Sequence, residues 1–210
     1  MFDEKHGWVY QTAFIRALGG ASDRELLEQF QQQHYTGRYF VALVCRYERR
    51  VNEILEIYIP QSNRLNHYSR YVWQHCFRTW QTWDLRKLTA DIDLDTWLQS
   101  AIPSALKQLA ETRRGGSALP TEIASPLPVP LWCYLMQALE TMPGDLRFIL
   151  VLSDVFRWTP RQIAQQLTVE GYTLAETEAE PIVNRARGLL WQMLPSDIVS
   201  MYVALEAVAS

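Results

Sequence analysis

Residues 138–194 are the most informative segment of the chain. It begins ALETMPGDLRFILVLSDVFRWTPRQIAQQL (138–167) and, after an acidic insert, ends IVNRARGLLWQML (182–194). Thr159, Pro160 and Gln162 predict a helix that starts at Trp158 or Thr159, because a threonine cap, a proline at the first helical position and a glutamine form a capping box. Apolar residues at helical spacing predict two preceding helices, over 130–141 and 145–155. Together with a last helix they give the outline of a helix-turn-helix.

That last helix is predicted over 181–194. Proline inside a helix removes a hydrogen bond and costs ~3 kcal/mol, so Pro181 is expected in the first turn. The helix then has an exposed side and a core side. The predicted exposed residues are Asn184, Arg185, Arg187, Gly188 and Gln192, and the predicted core residues are Ile182, Val183, Ala186, Leu189, Leu190 and Met193.

Charge is divided unevenly along the chain. Residues 1–115 hold 15 Lys and Arg against 13 Asp and Glu, whereas residues 116–210 hold 5 against 10, so the halves carry +2 and −5. The insert at 174–181 adds Glu176, Glu178 and Glu180 where a DNA backbone would lie, although phosphate neutralisation supplies much of the affinity for DNA. Arg185 and Arg187 therefore either contact DNA or are solvated or paired with these glutamates.

Two segments, Ile163-Ala164-Gln165-Gln166-Leu167 and Arg185-Ala186-Arg187-Gly188-Leu189-Leu190, resemble region four of bacterial sigma factors of the extracytoplasmic-function type. The earlier part of the chain resembles region two of the same family in outline. There, Ser22 and Glu25 form a second capping box, the apolar positions from Leu26 to Tyr47 keep a helical period, and a helix is expected over 65–83. The Thr96-Trp97-Leu98 segment that leads to Arg113 and Arg114 adds to the resemblance.

The resemblance implies an all-α fold, a DNA-binding surface and a polymerase-binding surface. The fold class is all-α, with a region-two-like domain over 1–114, a Pro/Gly-rich linker over 115–129 and a region-four-like helix-turn-helix domain over 130–210. The DNA-binding residues it implies are Thr159, Arg161, Gln162, Thr177, Asn184, Arg185, Arg187, Arg113 and Arg114. The residues it implies for core RNA polymerase are Arg70, Trp73, Gln74 and Phe77, where a cation and an amide replace the family's acidic side chains.

Five aromatic residues have two interpretations. Trp73, Phe77, Trp80, Trp83 and Trp97 either stack on bases of melted DNA or pack in a core, since helical spacings of three, four and seven fit both.

Pro103 predicts a kink near 101–102 in the helix that follows Trp97. Asp91, Asp93 and Asp95 alternate as in some metal loops, but a calcium loop's glycine and terminal glutamate are missing, so Asp93 or Asp95 fits a helix cap.

The cysteines and the absence of catalytic and membrane-span motifs argue against zinc proteins, membrane proteins and enzymes. Cys45, Cys76 and Cys133 lie far apart in sequence and form no Cys-x-x-Cys pair, which indicates reduced thiols, no zinc site and a cytoplasmic protein. No apolar run is long enough for a membrane span, and no phosphate loop or catalytic triad motif is present. We therefore expect neither an enzyme nor a cofactor.

The expected function is transcription initiation by a sigma-factor-like protein that joins core RNA polymerase to promoter DNA. The alternative is a degenerate relative that has lost promoter reading and serves as an interaction adaptor or regulator, with a regulatory protein as its partner. A plain helix-turn-helix regulator that never meets polymerase is a third possibility.

Overall fold

Helices make up every regular element of the part of the chain that the structure describes. The computed structural model describes residues 13–60, 65–87, 93–114, 127–171 and 175–202. By contacts between Cα atoms, the chain divides into two compact units. The first comprises Met1–Cys133 and Pro195–Ser210, and the second Tyr134–Leu194. The second unit is therefore inserted, in sequence, between two segments of the first, and the predicted domain limits of 1–114 and 130–210 stay a prediction.

The first unit is built from helices α1 (Ala13–Ala17), α2 (Asp23–Gln32), α3 (Arg38–Tyr58), α4 (Leu65–Thr82) and α5 (Leu94–Arg114), a short 3-10 turn at Leu85–Lys87, and the last helix, α10 (Ser196–Tyr202). Helices α2 to α5 pack on one another. Helix α6 (Val129–Thr141) begins in this unit and ends in the second.

Helix α2 starts as its sequence predicts. The Ser22 hydroxyl accepts a hydrogen bond from the Glu25 N–H at 3.2 Å, and the Glu25 carboxylate accepts one from the Ser22 N–H at 2.7 Å. These hydrogen bonds lower the pKa of Glu25, the backbone bond most. The continuous helical period predicted through Tyr47 is wrong in one respect: the chain leaves the helix after Gln32 and starts α3 at Arg38.

Large aromatic side chains form the centre of the first unit. Phe40 contacts Phe77 at 4.8 Å and Trp73 at 6.2 Å between ring centroids, and Trp73 contacts Trp80 at 6.1 Å. Trp73 and Trp80 are fully buried. The amide of Gln31 donates to the backbone carbonyls of Trp80, at 2.7 Å, and Trp83, at 2.8 Å. A side chain of α2 thus holds the end of α4 where these aromatics lie.

Helix α5 runs without interruption from Leu94 to Arg114, with Pro103 inside it. Asp93 caps its start, because its carboxylate accepts hydrogen bonds from the N–H groups of Asp95, at 3.1 Å, and Thr96, at 3.2 Å. Hydrogen bonds from Thr96, the side-chain bond first, lower the pKa of Asp93. Asp95 instead pairs with Arg50 at 2.7 Å. Asp93 is therefore a cap, while Asp91 lies outside the described residues.

The second unit contains the end of α6, α7 (Gly144–Leu150), a π-helical turn (Val151–Val155), α8 (Pro160–Val169) and α9 (Glu176–Met193). The helix predicted over 145–155 therefore ends in a wider turn, in which the Phe156 N–H donates to the Val151 carbonyl at 3.1 Å. One aliphatic cluster lies where α7, the π-helical turn, α8 and α9 meet. Its buried members are Ile149, Leu152, Ile163, Leu167 and Val183.

Candidate nucleic-acid and protein interfaces

The start of α8 is built as the sequence predicts. Thr159 is the N-cap, with its hydroxyl 3.4 Å from the Gln162 N–H, and the Gln162 side-chain oxygen accepts from the Thr159 N–H at 2.9 Å. Pro160 occupies the first turn. Both side chains predicted to meet DNA here are therefore also structural, since they hold the first turn together. Arg161 is exposed beside them.

Helix α9 begins earlier than predicted. It starts at Glu176, so Pro181 lies inside the helix and not in its first turn. The Glu178 carboxylate accepts a hydrogen bond from the Ala175 N–H at 3.0 Å. Negative charge is stabilising at a helix N-terminus, which explains why an acidic run forms helix here in spite of a proline five residues downstream of Glu176. Most of the acidic insert is therefore the first turns of α9.

The two faces of α9 largely follow the prediction. Val183 and Ala186 are buried, and the other four core predictions, Ile182, Leu189, Leu190 and Met193, are half-buried. Asn184, Arg185, Arg187 and Gln192 are exposed and Gly188 is half-buried, and Thr177 is also exposed, on the first turn. The exposed face of α9 thus carries Glu176, Glu178 and Glu180 ahead of its two arginines.

The two arginines of α9 have different surroundings. The Arg187 guanidinium donates to both carboxylate oxygens of Asp154, at 2.5 and 3.2 Å, and to the hydroxyl of Ser153 at 3.1 Å. Its partner is therefore an acid of the π-helical turn, not one of the glutamates at 176–180. Arg185 makes no hydrogen bond or ion pair with any residue of the described ranges, and the same holds for Arg161.

The ion pair between Arg187 and Asp154 shifts the pKa of both partners. Burial raises the pKa of Asp154, but hydrogen bonds from Arg187 and Ser153 outweigh it, so the pKa lies below its ordinary value. The hydrogen bond to Asp154 raises the pKa of Arg187. Arg187 therefore joins α9 to the turn before α8 and is a positioning residue in this arrangement.

The turn between the π-helical segment and α8 contains a residue that sequence analysis did not single out. Arg157 is exposed and adopts a left-handed backbone conformation, with φ of 58°. A side chain with a Cβ atom is disfavoured there. The sequence could have pointed to Arg157 by its position alone. It lies two residues before the Thr159 cap and so adds a cation near Arg161.

The residues predicted to bind polymerase lie on α4, but not all on its surface. Trp73 is fully buried and Phe77 is 1% exposed, so both are core residues and present no surface to a partner. Arg70 and Gln74 are half-buried. Arg70 donates to the Leu127 carbonyl at 3.2 Å, and its guanidinium lies 5.6 Å from the centre of the Trp132 ring. Burial lowers the pKa of Arg70.

Three of the five aromatic residues that could either stack on DNA bases or pack in a core are core residues. Trp73, Phe77 and Trp80 are buried, whereas Trp83 and Trp97 are half-buried and contact each other in a tilted arrangement, with 5.1 Å between ring centroids. Arg113 and Arg114 form the last turn of α5, and their side chains lie outside the described part, as do residues 115–126 of the predicted linker.

Other kinds of site find no support in the described ranges. Among those residues, no three His, Cys, Asp or Glu side chains gather in a way that could hold a metal ion. Burial raises the pKa of Cys76 well above its ordinary value, which is the behaviour of an inert packed thiol. No helix in the described part of the chain is both long and apolar enough to span a membrane.

Comparison of the chain with protein-family models and with curated proteins gives no match.

Proposed function

We propose that this protein is a sigma-factor-like component of transcription initiation, which binds core RNA polymerase and promoter DNA. The observation that carries the proposal is the packing of α8 on α9. Ile163 and Leu167 of α8 share a buried cluster with Val183 of α9, and a complete capping box at Thr159 starts α8. Ala186, in the family-like 185–190 segment, is buried in a second cluster with Met142 and Leu150. That is the frame in which a helix-turn-helix exposes a recognition helix.

Within this proposal, DNA contacts come from four exposed residues: Arg161, Thr177, Asn184 and Arg185. Arg161 and Arg185 have no internal hydrogen bond or ion pair among the described residues, so their guanidinium groups are available to phosphates or base edges. Arg187 has an internal carboxylate partner and supports the fold of the turn. Thr159 and Gln162 position α8 through its cap.

Polymerase contact is assigned to the solvent side of α4. Arg70 and Gln74 are its partly exposed members of the predicted set, and Trp73 and Phe77 hold the helix in place from the core side. Helix α4 contains Arg70 and Arg78 and no Asp or Glu. An acidic protein partner would therefore meet no like charge on α4 itself.

One observation favours the second candidate, an adaptor that binds polymerase and does not read promoters. Glu176, Glu178 and Glu180 are all exposed at the N-terminal end of α9, which is the end that enters the major groove in a helix-turn-helix. Like charge at that position opposes phosphate binding. The two candidates therefore differ in DNA binding and agree on polymerase binding.

The experiment that separates them is run-off transcription with purified protein, core RNA polymerase and a library of genomic promoter fragments. A sigma-like initiation factor yields defined transcripts that require the added protein. Binding to core enzyme without any transcript would overturn the initiation proposal in favour of the adaptor. Absence of binding to core enzyme would exclude both candidates.

A gel-shift series on duplex DNA tests the residue assignments. Replacing Arg185 by Ala is expected to reduce affinity at least fivefold, since a lost DNA contact is worth ~1–3 kcal/mol, whereas Arg187→Ala should change affinity less than threefold. The double variant Glu176→Gln, Glu180→Gln should tighten binding, and it leaves the Glu178 bond to the Ala175 N–H intact. Equal losses for Arg185→Ala and Arg187→Ala would contradict the different roles given to them.

A further inference from the structure

Three helices of the first unit leave a cavity between them. It lies where α3 ends, where α4 begins and along the later part of α5. Its volume is about 510 Å³, within the range of about 300–1,000 Å³ that is usual for small-molecule sites. Residues from all three helices line it, among them Tyr58, Ile59, Tyr68, Leu106, Lys107 and Leu109.

The walls of the cavity are held by the core of the unit. Ile59 is the C-cap of α3, and its N–H donates to the carbonyl of the fully buried Leu55 at 2.8 Å. Ser69, which follows Tyr68 on α4, is 6% exposed, and Leu109 of α5 is 4% exposed. The lining residues therefore belong to packed helix segments, so the space is formed before any ligand binds.

The lining has an apolar inner part and a polar outer part. Leu109 is buried, and Ile59, Tyr68 and Leu106 are half-buried, so hydrocarbon and one aromatic ring form the inner part. Tyr58 and Lys107 are exposed, which places their side chains at the solvent side. Apolar walls with a few polar groups at defined positions are typical of sites for small organic molecules.

The charge of the lining favours an anion. All the lining residues lie in the described part of the chain, and among them Lys107 is the only charged one. Within that part, neither its ammonium group nor the Tyr58 hydroxyl has a hydrogen bond or ion pair with another residue. A lysine ammonium is a compact charge with three donors. One such group matches one negative charge, and the Tyr58 hydroxyl is a second donor on the same side.

We propose that this cavity binds an amphipathic carboxylate, a small molecule with an apolar body and a single carboxylate group. The body lies against Ile59, Leu106 and Leu109, and the carboxylate pairs with Lys107 at the solvent side. The site goes beyond the function proposed above and does not depend on it. Every residue that lines it belongs to the first unit, and none is assigned to DNA or polymerase binding.

Isothermal titration calorimetry of the full-length protein with octanoate tests the proposal. Octanoate should bind saturably, with one molecule per chain. Octylamine has the same alkyl chain and a positive charge at neutral pH, so it should bind at least tenfold more weakly. Lys107→Gln removes the cation from an exposed position, and it should weaken octanoate binding at least fivefold.

A second variant tests the position of the ligand. Ala110 lines the cavity and is exposed, so Ala110→Phe should fill the space without disturbing the core and should abolish saturable octanoate binding. The matched control is Arg86→Gln, which removes an exposed cation from the 3-10 turn beyond the opposite end of α4 and should bind octanoate like the wild-type protein.

Circular dichroism reports whether each variant keeps its helices. Three results would each overturn the proposal: no saturable binding of octanoate to the wild-type protein, equal affinity for octylamine and octanoate, or wild-type octanoate affinity in folded Lys107→Gln or Ala110→Phe.

Discussion

Aromatic side chains contribute differently to the cores of the two compact units. In the first unit Trp73, Trp80, Phe40 and Phe77 lie at the centre of the core. In the second unit the buried cluster is aliphatic with Trp158 partly buried against it, and Phe148, Phe156 and Trp191 are exposed by 38, 57 and 44%. The difference shows that the count of tryptophans does not reveal an aromatic recognition surface. Only the packing partners of each ring do.

The strongest test of this contrast compares two tryptophans. Trp80→Ala should lower the free energy of unfolding by ~3–5 kcal/mol, because it deletes a fully buried ring and leaves a cavity. Trp191→Ala should lower it by about 1 kcal/mol at most, because that ring is 44% exposed. Urea denaturation followed by circular dichroism measures both. Similar losses would mean that the rings of the two units are structurally equivalent.

A smaller effect is expected at the turn before α8. Arg157→Gly should raise the free energy of unfolding by about 0.5–1 kcal/mol, since relief of the left-handed strain exceeds the added freedom of glycine in the unfolded chain. Arg157→Ala is the control, since it removes the charge and keeps the Cβ atom. If alanine stabilises as much as glycine, the gain comes from charge and not from backbone conformation.

The smallest effect concerns the ion pair of the second unit. Arg187→Ala should cost about 0.5 kcal/mol near neutral pH, because both partners are partly exposed and solvent screens them. The pair holds the pKa of Asp154 below its ordinary value of 3.8, so its contribution is present above that pH and is lost as the pH falls through the lower, folded-state pKa. Denaturation curves at neutral and acidic pH should therefore converge for wild type and variant. A difference that persists at acidic pH would assign the effect to packing.

The elements that sequence predicted well are those whose signals are local. The capping boxes at Ser22 and Thr159 and the extents of α4 and α6 follow from residues within a few positions of each other. The predicted start of α9 at Pro181 is wrong by five residues, because acidic residues stabilise the N-terminal turn of a helix and let it begin at Glu176, ahead of the proline. Periodicity alone also did not reveal the break after Gln32.

The candidate interfaces were less predictable, because burial and pairing depend on distant residues. The family resemblance places Trp73 and Gln74 together in the polymerase surface, but contacts with α3 bury Trp73, and Gln74 is only half-buried. Arg185 and Arg187 are also alike in sequence, and only the carboxylate of Asp154, more than thirty positions earlier, distinguishes them. The cap of α3 has no local signal at all, because the Gly37 and Arg38 N–H groups donate, at 2.8 and 3.0 Å, to the carboxylate of Asp197 on α10.

That cap also sets an order of events during synthesis. Gly37 leaves the ribosome long before Asp197, which lies 160 residues later, and at ~5–20 residues per second the interval is on the order of ten seconds. Throughout that time the first N–H groups of α3 must bond to water or to another acceptor. The helices that precede α10 in the first unit can therefore pack before α3 has its final cap, and a segment made much later completes the start of α3.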